Sequence, residues 1–137
     1  MLNPAPFCLI GIVNVTPDSF SDGGKYIDPR NAVAHGLRLL DEGAGMLDLG
    51  AESTRPFAEP VPEGEEIARL MPVVARLREQ RPDAVLSVDT LKAGTARAAL
   101  EGGADIINDV SACVADPALL DVLAEYKPGY VLMHSQG

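Results

Sequence analysis

Cysteine is scarce in this chain, positive charge is short, and no apolar run is long. The two cysteines, Cys8 and Cys113, lie far apart and outside any CxxC spacing. That argues against a disulfide scaffold or a structural zinc site, and two reduced, semi-buried thiols are expected. No apolar stretch approaches the roughly 20 residues that span a bilayer. No basic segment precedes the apolar stretch near the N-terminus, so a signal peptide is not expected. Eleven Lys and Arg stand against 20 Asp and Glu, a net charge of −9, which argues against nucleic acid or an anionic membrane as partner. An anionic small molecule stays open, because phosphate sites depend on local donors and helix N-termini. These absences together point to a cytoplasmic protein. GxSxG, HExxH, P-loop and GxGxxG patterns are also missing, which removes several common nucleophile, zinc and nucleotide readings.

What is present is a repeated grammar. Short apolar runs alternate with helical patterns, and Gly-Ala pairs close the helices. Strands are expected at Cys8–Val13, Met46–Leu49, Ala84–Val88, Asp105–Asn108 and Tyr130–Met133. The first helix should start at Asp28-Pro29, bury Val33, Leu37 and Leu40, and end at Gly43. The second should start near Glu63 with Ile67, Leu70, Val74 and Leu77 on one face. Pro72 inside it predicts a kink or a late start. The third should run over Leu91–Leu100, capped by Thr90. The fourth should start at Asp116-Pro117 and carry Leu120, Leu123 and Tyr126. A weak echo relates 42–48 to 101–108, a spacing of about two βα units. Strict βα repetition gives a barrel or an open doubly wound sheet.

Each strand candidate hands polar groups to the same edge. Asn14 follows the first, Asp48 and 52–55 the second, Asp89 the third, Asn108 and Asp109 the fourth, and His134 the fifth. In parallel α/β folds the carboxyl edge of the strands is where ligands bind. The loop Asn14–Gly24 reads either as an ordinary exposed loop or as an active-site loop. In the second case Asp18 and Asp22 could hold a charged or amine-bearing partner, Phe20 could cover a flat ring, and the Asn14 amide oxygen could meet Mg²⁺. Arg55 suits bidentate phosphate contact, or else a surface ion pair. Asp89 could accept paired N–H donors from a heterocycle edge, or cap a helix. Asn108 could read a ring N and C=O, while Asp109 could cap the following turn. Met133 could pack on a ring. His35 reads as solvent-facing.

NVTPDSFSDGG (14–24), ESTRP (52–56), SVDT (87–90), INDVSA (107–112) and MHSQG (133–137) together resemble the first five βα units of the dihydropteroate synthase family, over about Leu9 to Gly137. The resemblance implies a (β/α)8 TIM-barrel fold, here an incomplete barrel of about five parallel strands in a single pterin-binding domain spanning 1–137. It implies condensation of 6-hydroxymethyl-7,8-dihydropterin pyrophosphate with p-aminobenzoate, giving 7,8-dihydropteroate and pyrophosphate. It implies Asn14 at a Mg²⁺ ion and Arg55 on pyrophosphate. Thr54 and Pro56 would lie near p-aminobenzoate, Asp89 and Asn108 would bind the pterin, and Met133 would lie against its ring. Asp22 and Phe20 would belong to the loop that closes over the reacting centre. Phe57 departs from the family's usual glycine. A full barrel takes about 250 residues, so an isolated chain of 137 residues is expected to have weak activity or none. Competing readings are a pterin-binding methyltransferase module, a non-catalytic pterin-binding module, and an assembly subunit that forms a homo-oligomer or heteromer.

Overall fold

In the computed structural model, residues 7–16, 28–51, 60–111 and 113–132 are described. The strands are β1 (Ile10–Asn14), β2 (Met46–Gly50), β3 (Leu86–Asp89), β4 (Ile106–Asp109) and β5 (Gly129–Leu132). They alternate with α1 (Pro29–Asp41), α2 (Glu63–Gln80), α3 (Ala93–Glu101) and α4 (Leu119–Tyr126). All strand pairs are parallel, and their order in the sheet is their order in the chain. Each helix packs beside the next, α1 on α2, α2 on α3 and α3 on α4. An unreversed strand order with one helical layer is the barrel arrangement. A doubly wound sheet reverses its order and carries helices on both faces.

Alternation within the strands explains the layering. Val13, Leu47, Leu49, Leu86, Val88 and Ile107 are fully buried together with Leu70, Val73, Val74 and Leu77 of α2. Their neighbours in β1, Ile10 and Ile12, lie on the opposite face and are exposed. Gly36 lets α1 settle onto this core: a Cβ there would lie 3.0 Å from Leu47 Cδ1 and 3.3 Å from Leu77 Cδ2.

Several boundaries differ from those expected from apolarity. β1, β3 and β4 each begin and end later, so Asn14 and Asp89 are last residues of strands rather than residues beyond them. The parallel ladder carries these polar residues within its register, whereas apolar content alone stops short of them. α2 begins at Glu63 and continues through Pro72, so a late start is overturned. α3 begins at Ala93 rather than Leu91, and Thr90 is not its N-cap. Carboxylates from other elements serve its first N–H groups instead: Asp116 Oδ2 accepts from Ala93 N at 2.9 Å and Glu63 Oε2 from Gly94 N at 3.2 Å. α4 starts at Leu119, after a turn in which Asp116 Oδ1 accepts from Ala118 N. Leu119 and Val122 are its buried residues, and Leu120 is exposed. α1 follows expectation, with Asp28 Oδ1 accepting from Arg30 N and Pro29 at the first position. His35 is half-buried rather than solvent-facing, and Cys8 is exposed while Cys113 is buried; both thiols are free. Among the described residues no helix is long and apolar enough to cross a membrane.

The 60-residue echo has a physical cause. After α1, Gly43 N donates to Leu40 O and Ala44 N to Leu39 O. After α3, Gly103 N donates to Leu100 O and Ala104 N to Ala99 O. Both are Schellman stops with glycine in the left-handed region, φ 112° in each case. Each stop feeds directly into a strand, β2 and β4.

Candidate active site

The parallel register builds a row of residues at the carboxyl edge. Asn14 pairs with Gly50, Gly50 with Asp89, and Asp89 with Asn108. Three of the residues singled out from sequence therefore stand abreast on one face of the sheet, the face away from the helices. Asn14 is exposed, and Asp89 and Asn108 are half-buried. Gly50 adds no side chain to the row, and a Cβ there would make only ordinary contact, 3.7 Å from Asp89 Cβ and 3.8 Å from Asp89 Oδ2. Asp22, Phe20, Thr54, Arg55, Pro56 and Met133 lie outside the described residues, as do Asp18 and His134.

One row deeper, on the same face, Ile12, Asp48, Ser87 and Ile106 pair in turn. Asn108 Nδ2 donates to Asp48 Oδ2 at 3.4 Å, across the small side chain of Ser87. Asp48 Oδ1 and Ser87 Oγ are both buried without a hydrogen-bond partner. Such atoms are uncommon; among the described residues Arg69 Nε on α2 and Thr95 Oγ1 on α3 are the others.

Two carboxylates outside that face shape the strand-end loops. Glu66, in the first turns of α2, is only 2% exposed. Its Oε1 accepts from Thr90 Oγ1 and its Oε2 from Lys92 Nζ, the latter at 2.7 Å. Thr90 N also donates to Asn108 O at 3.2 Å. The turn immediately after Asp89 is thus tied both to a helix and to the neighbouring strand. Arg69, one turn along α2 from Glu66, donates from Nη1 to Ala51 O at 3.0 Å and so holds the chain just beyond β2. Sequence reading missed Glu66. The signal was available: Glu66, Leu70, Val73 and Leu77 share one helical stripe, and a carboxylate on an apolar stripe must find partners.

Asp109 points to the helix side and is fully buried. It accepts from Ser111 N at 2.8 Å, Ser111 Oγ at 2.7 Å, Tyr130 Oη at 3.1 Å and Cys113 N. Burial pushes its carboxyl upward, but these hydrogen bonds outweigh it and hold the group below the usual carboxylate range. Its role is to shape the turn after β4, as the alternative reading from sequence had it. That turn places Cys113 at φ 66°, a left-handed conformation that is uncommon for a non-glycine residue. Tyr130 is pushed well above the ordinary phenol range, first by burial and then by the Cys113 thiol and the Asp109 charge.

No group of three or more His, Cys, Asp or Glu among the described residues could hold a metal ion. Asn14 offers one neutral oxygen at the open end of the row. Such a donor suits a hard cation carried mainly by phosphate oxygens and water, and by itself is too weak to hold one.

Residues 10–137 match the family model described as pterin binding enzyme. The dihydropteroate synthase of Mycobacterium leprae is 50% identical over 130 residues, covering 95% of this chain and 45% of the relative. A Xanthomonas albilineans dihydropteroate synthase structure with 4-aminobenzoic acid superposes with a TM-score of 0.84 at 53% identity, covering 94% of this chain and 47% of that one. The same enzyme in complex with 7,8-dihydropteroate gives a TM-score of 0.79 at 49% identity, covering 94% and 46%. The chain spans less than half the length of these relatives.

Proposed function

Because this chain belongs to the pterin binding enzyme family, we propose that it carries the pterin-binding part of a dihydropteroate synthase. The observation that carries the reading is the row Asn14, Gly50, Asp89, Asn108, which sets three hydrogen-bonding side chains and a glycine along one edge. A carboxylate beside a carboxamide matches the edge of a fused aminopyrimidinone, where ring N–H, amino and ring N groups alternate. One relative lends support, having been solved both with 7,8-dihydropteroate and with 4-aminobenzoic acid.

The proposed reaction forms a C–N bond between the amine of p-aminobenzoate and the methylene carbon of the pterin pyrophosphate. The C–O bond breaks, pyrophosphate leaves, and the amine gives up a proton. The arylamine is already neutral at pH 7, so orientation and stabilisation of the departing charge are what the protein must supply. In this reading Asp89 and Asn108 fix the ring. Arg55 meets pyrophosphate, Thr54 and Pro56 flank p-aminobenzoate, Met133 covers the pterin, and Asp22 and Phe20 close over the centre. Mg²⁺ would arrive with the pyrophosphate and share Asn14, where it would neutralise phosphate charge. Two free thiols fit a cytoplasmic setting.

The test is calorimetric titration of the chain with 7,8-dihydropteroate, repeated for Asp89→Ala. The reading expects measurable binding that weakens at least about tenfold in the variant, the loss that follows from leaving ligand donors unpaired. A folded chain whose affinity is the same with and without Asp89 would overturn it.

A further inference from the structure

We infer that Asp48 is a positioning residue, and that it fixes which end of the Asn108 carboxamide each part of a bound heterocycle meets. The inference rests on the pterin-binding reading and adds to it a residue that does not itself stand in the ligand-facing row. Asp48 and Asn108 both occupy the face of the sheet away from the helices, Asp48 one register step below the row. Asn108 Nδ2 donates to Asp48 Oδ2 at 3.4 Å. Ser87, between them in the register, is too small to keep them apart.

An Asn side chain has two nearly isosteric ends of opposite hydrogen-bonding character, and only its surroundings decide which way it faces. Asp48 Oδ2 is the acceptor in this contact, so Asp48 selects the amide nitrogen. One Nδ2 hydrogen is then committed inward. The second Nδ2 hydrogen and Oδ1 remain for a ligand, with the donor on the β2 side and the acceptor on the other. A ring whose edge presents acceptor and donor in the matching order is favoured over the same ring turned over. The orientation of a flat, nearly symmetric substrate is thereby set by a residue in the layer beneath it.

The orphaned Asp48 Oδ1, with the orphaned Ser87 Oγ beside it in the register, supports this assignment. Asp109 and Glu66, by contrast, have both oxygens hydrogen-bonded within the fold. Asp48 instead keeps one acceptor unspent beneath the row that meets the ligand.

The experiment is a double-mutant cycle on the whole chain, using 7,8-dihydropteroate as probe, with Asp48→Ala, Asn108→Ala and the double variant. Asp48→Asn serves as an isosteric control that keeps the packing. Asp48→Ala should weaken binding about tenfold when Asn108 is present and less than about twofold when it is absent. Equal losses in both backgrounds would mean that Asp48 acts independently of Asn108, and would overturn the inference. The second readout is the side-chain amide resonance of Asn108 in the ligand-free chain, assigned by its loss in Asn108→Ala. One of its two hydrogens should move toward the ordinary Asn position in Asp48→Ala, and part of the way in Asp48→Asn. An unmoved resonance overturns the inference whether or not the ligand binds. Absence of binding by the parent chain counts against the pterin reading alone, and the resonance then decides the role of Asp48 by itself.

Discussion

Asp109 is gripped by two backbone N–H groups and two hydroxyls, and its protonation would weaken that set. Its carboxyl sits below its ordinary value in the fold because the four donors outweigh the effect of burial. A depressed carboxylate stabilises the folded state fully above its unfolded pKa, about 3.9, and this contribution is lost as pH falls toward the lower folded value. Asp109→Asn should therefore cost about 2 kcal/mol at neutral pH, the scale of losing charge-assisted hydrogen bonds. The gap between variant and parent should shrink as pH falls from about 4 downward. Urea melts at a series of pH values check this, and a gap that stays constant down to acid pH would contradict it. Asp89 and Asn108 sit in the adjoining register, so the cost also bears on how firmly the site is framed.

At the scale of elements, the two Schellman stops and one arginine set the lower edge of the sheet. Arg78 of α2 donates from Nε and Nη2 to Gly103 O, at 3.1 and 2.7 Å, from Nη1 to Ala84 O at 2.7 Å, and from Nη2 to Asp105 Oδ2 at 2.7 Å. Asp105 Oδ2 in turn accepts from Leu86 N at 2.9 Å. One guanidinium thus joins the approach to β3 with the approach to β4. Gly103 is doubly constrained, by a φ of 112° and by Arg78 Cγ, 3.3 Å from where a Cβ would lie. Gly103→Ala should destabilise the fold by about 1–2 kcal/mol. Gly43→Ala, with the same φ but nothing near its Cβ position, should cost the backbone part only. Thermal melts of the two variants separate strain from crowding, and a Gly43 variant hit as hard as the Gly103 variant would show that crowding is irrelevant.

This pair of stops was readable in the sequence as a Gly-Ala echo, and the start of α1 was readable as Asp28-Pro29. Both rest on local chemistry that needs no distant partner. Asn14, Asp89 and Asn108 were readable as a set because each ends or nearly ends an apolar run. Their alignment into a row was not, because register comes from ladder pairing between distant segments. The start of α3 was misplaced for a related reason: its N–H groups are served by Glu63 and Asp116, far along the chain, and no local signal marks them. Asp48 went unremarked as a partner of Asn108 for the same cause. Only the folded sheet brings β2 and β4 within reach over Ser87.

For the whole molecule, the strand order matching the chain order has a consequence in time. Every strand after the first docks on the strand just before it, so each newly added strand finds its partner already in place. A chain emerging from the ribosome can add one strand and one helix after another onto a growing edge. The separations are nevertheless unequal. Ser87 pairs with Ile106 across a short connection, whereas Ile10 must wait for Met46 and Leu47 for Leu86. Loop closure is cheapest for the shortest connection, and contacts close in sequence form fastest. The β3–α3–β4 unit, already clasped by Arg78, should therefore be the first to protect its amides in pulse-labelled hydrogen exchange during refolding, ahead of β1. If β1 and β2 gain protection first, the order is set by something other than loop length. Should the expected order hold, Asp89 and Asn108 would be neighbours in the refolding chain before Asn14 joins their row.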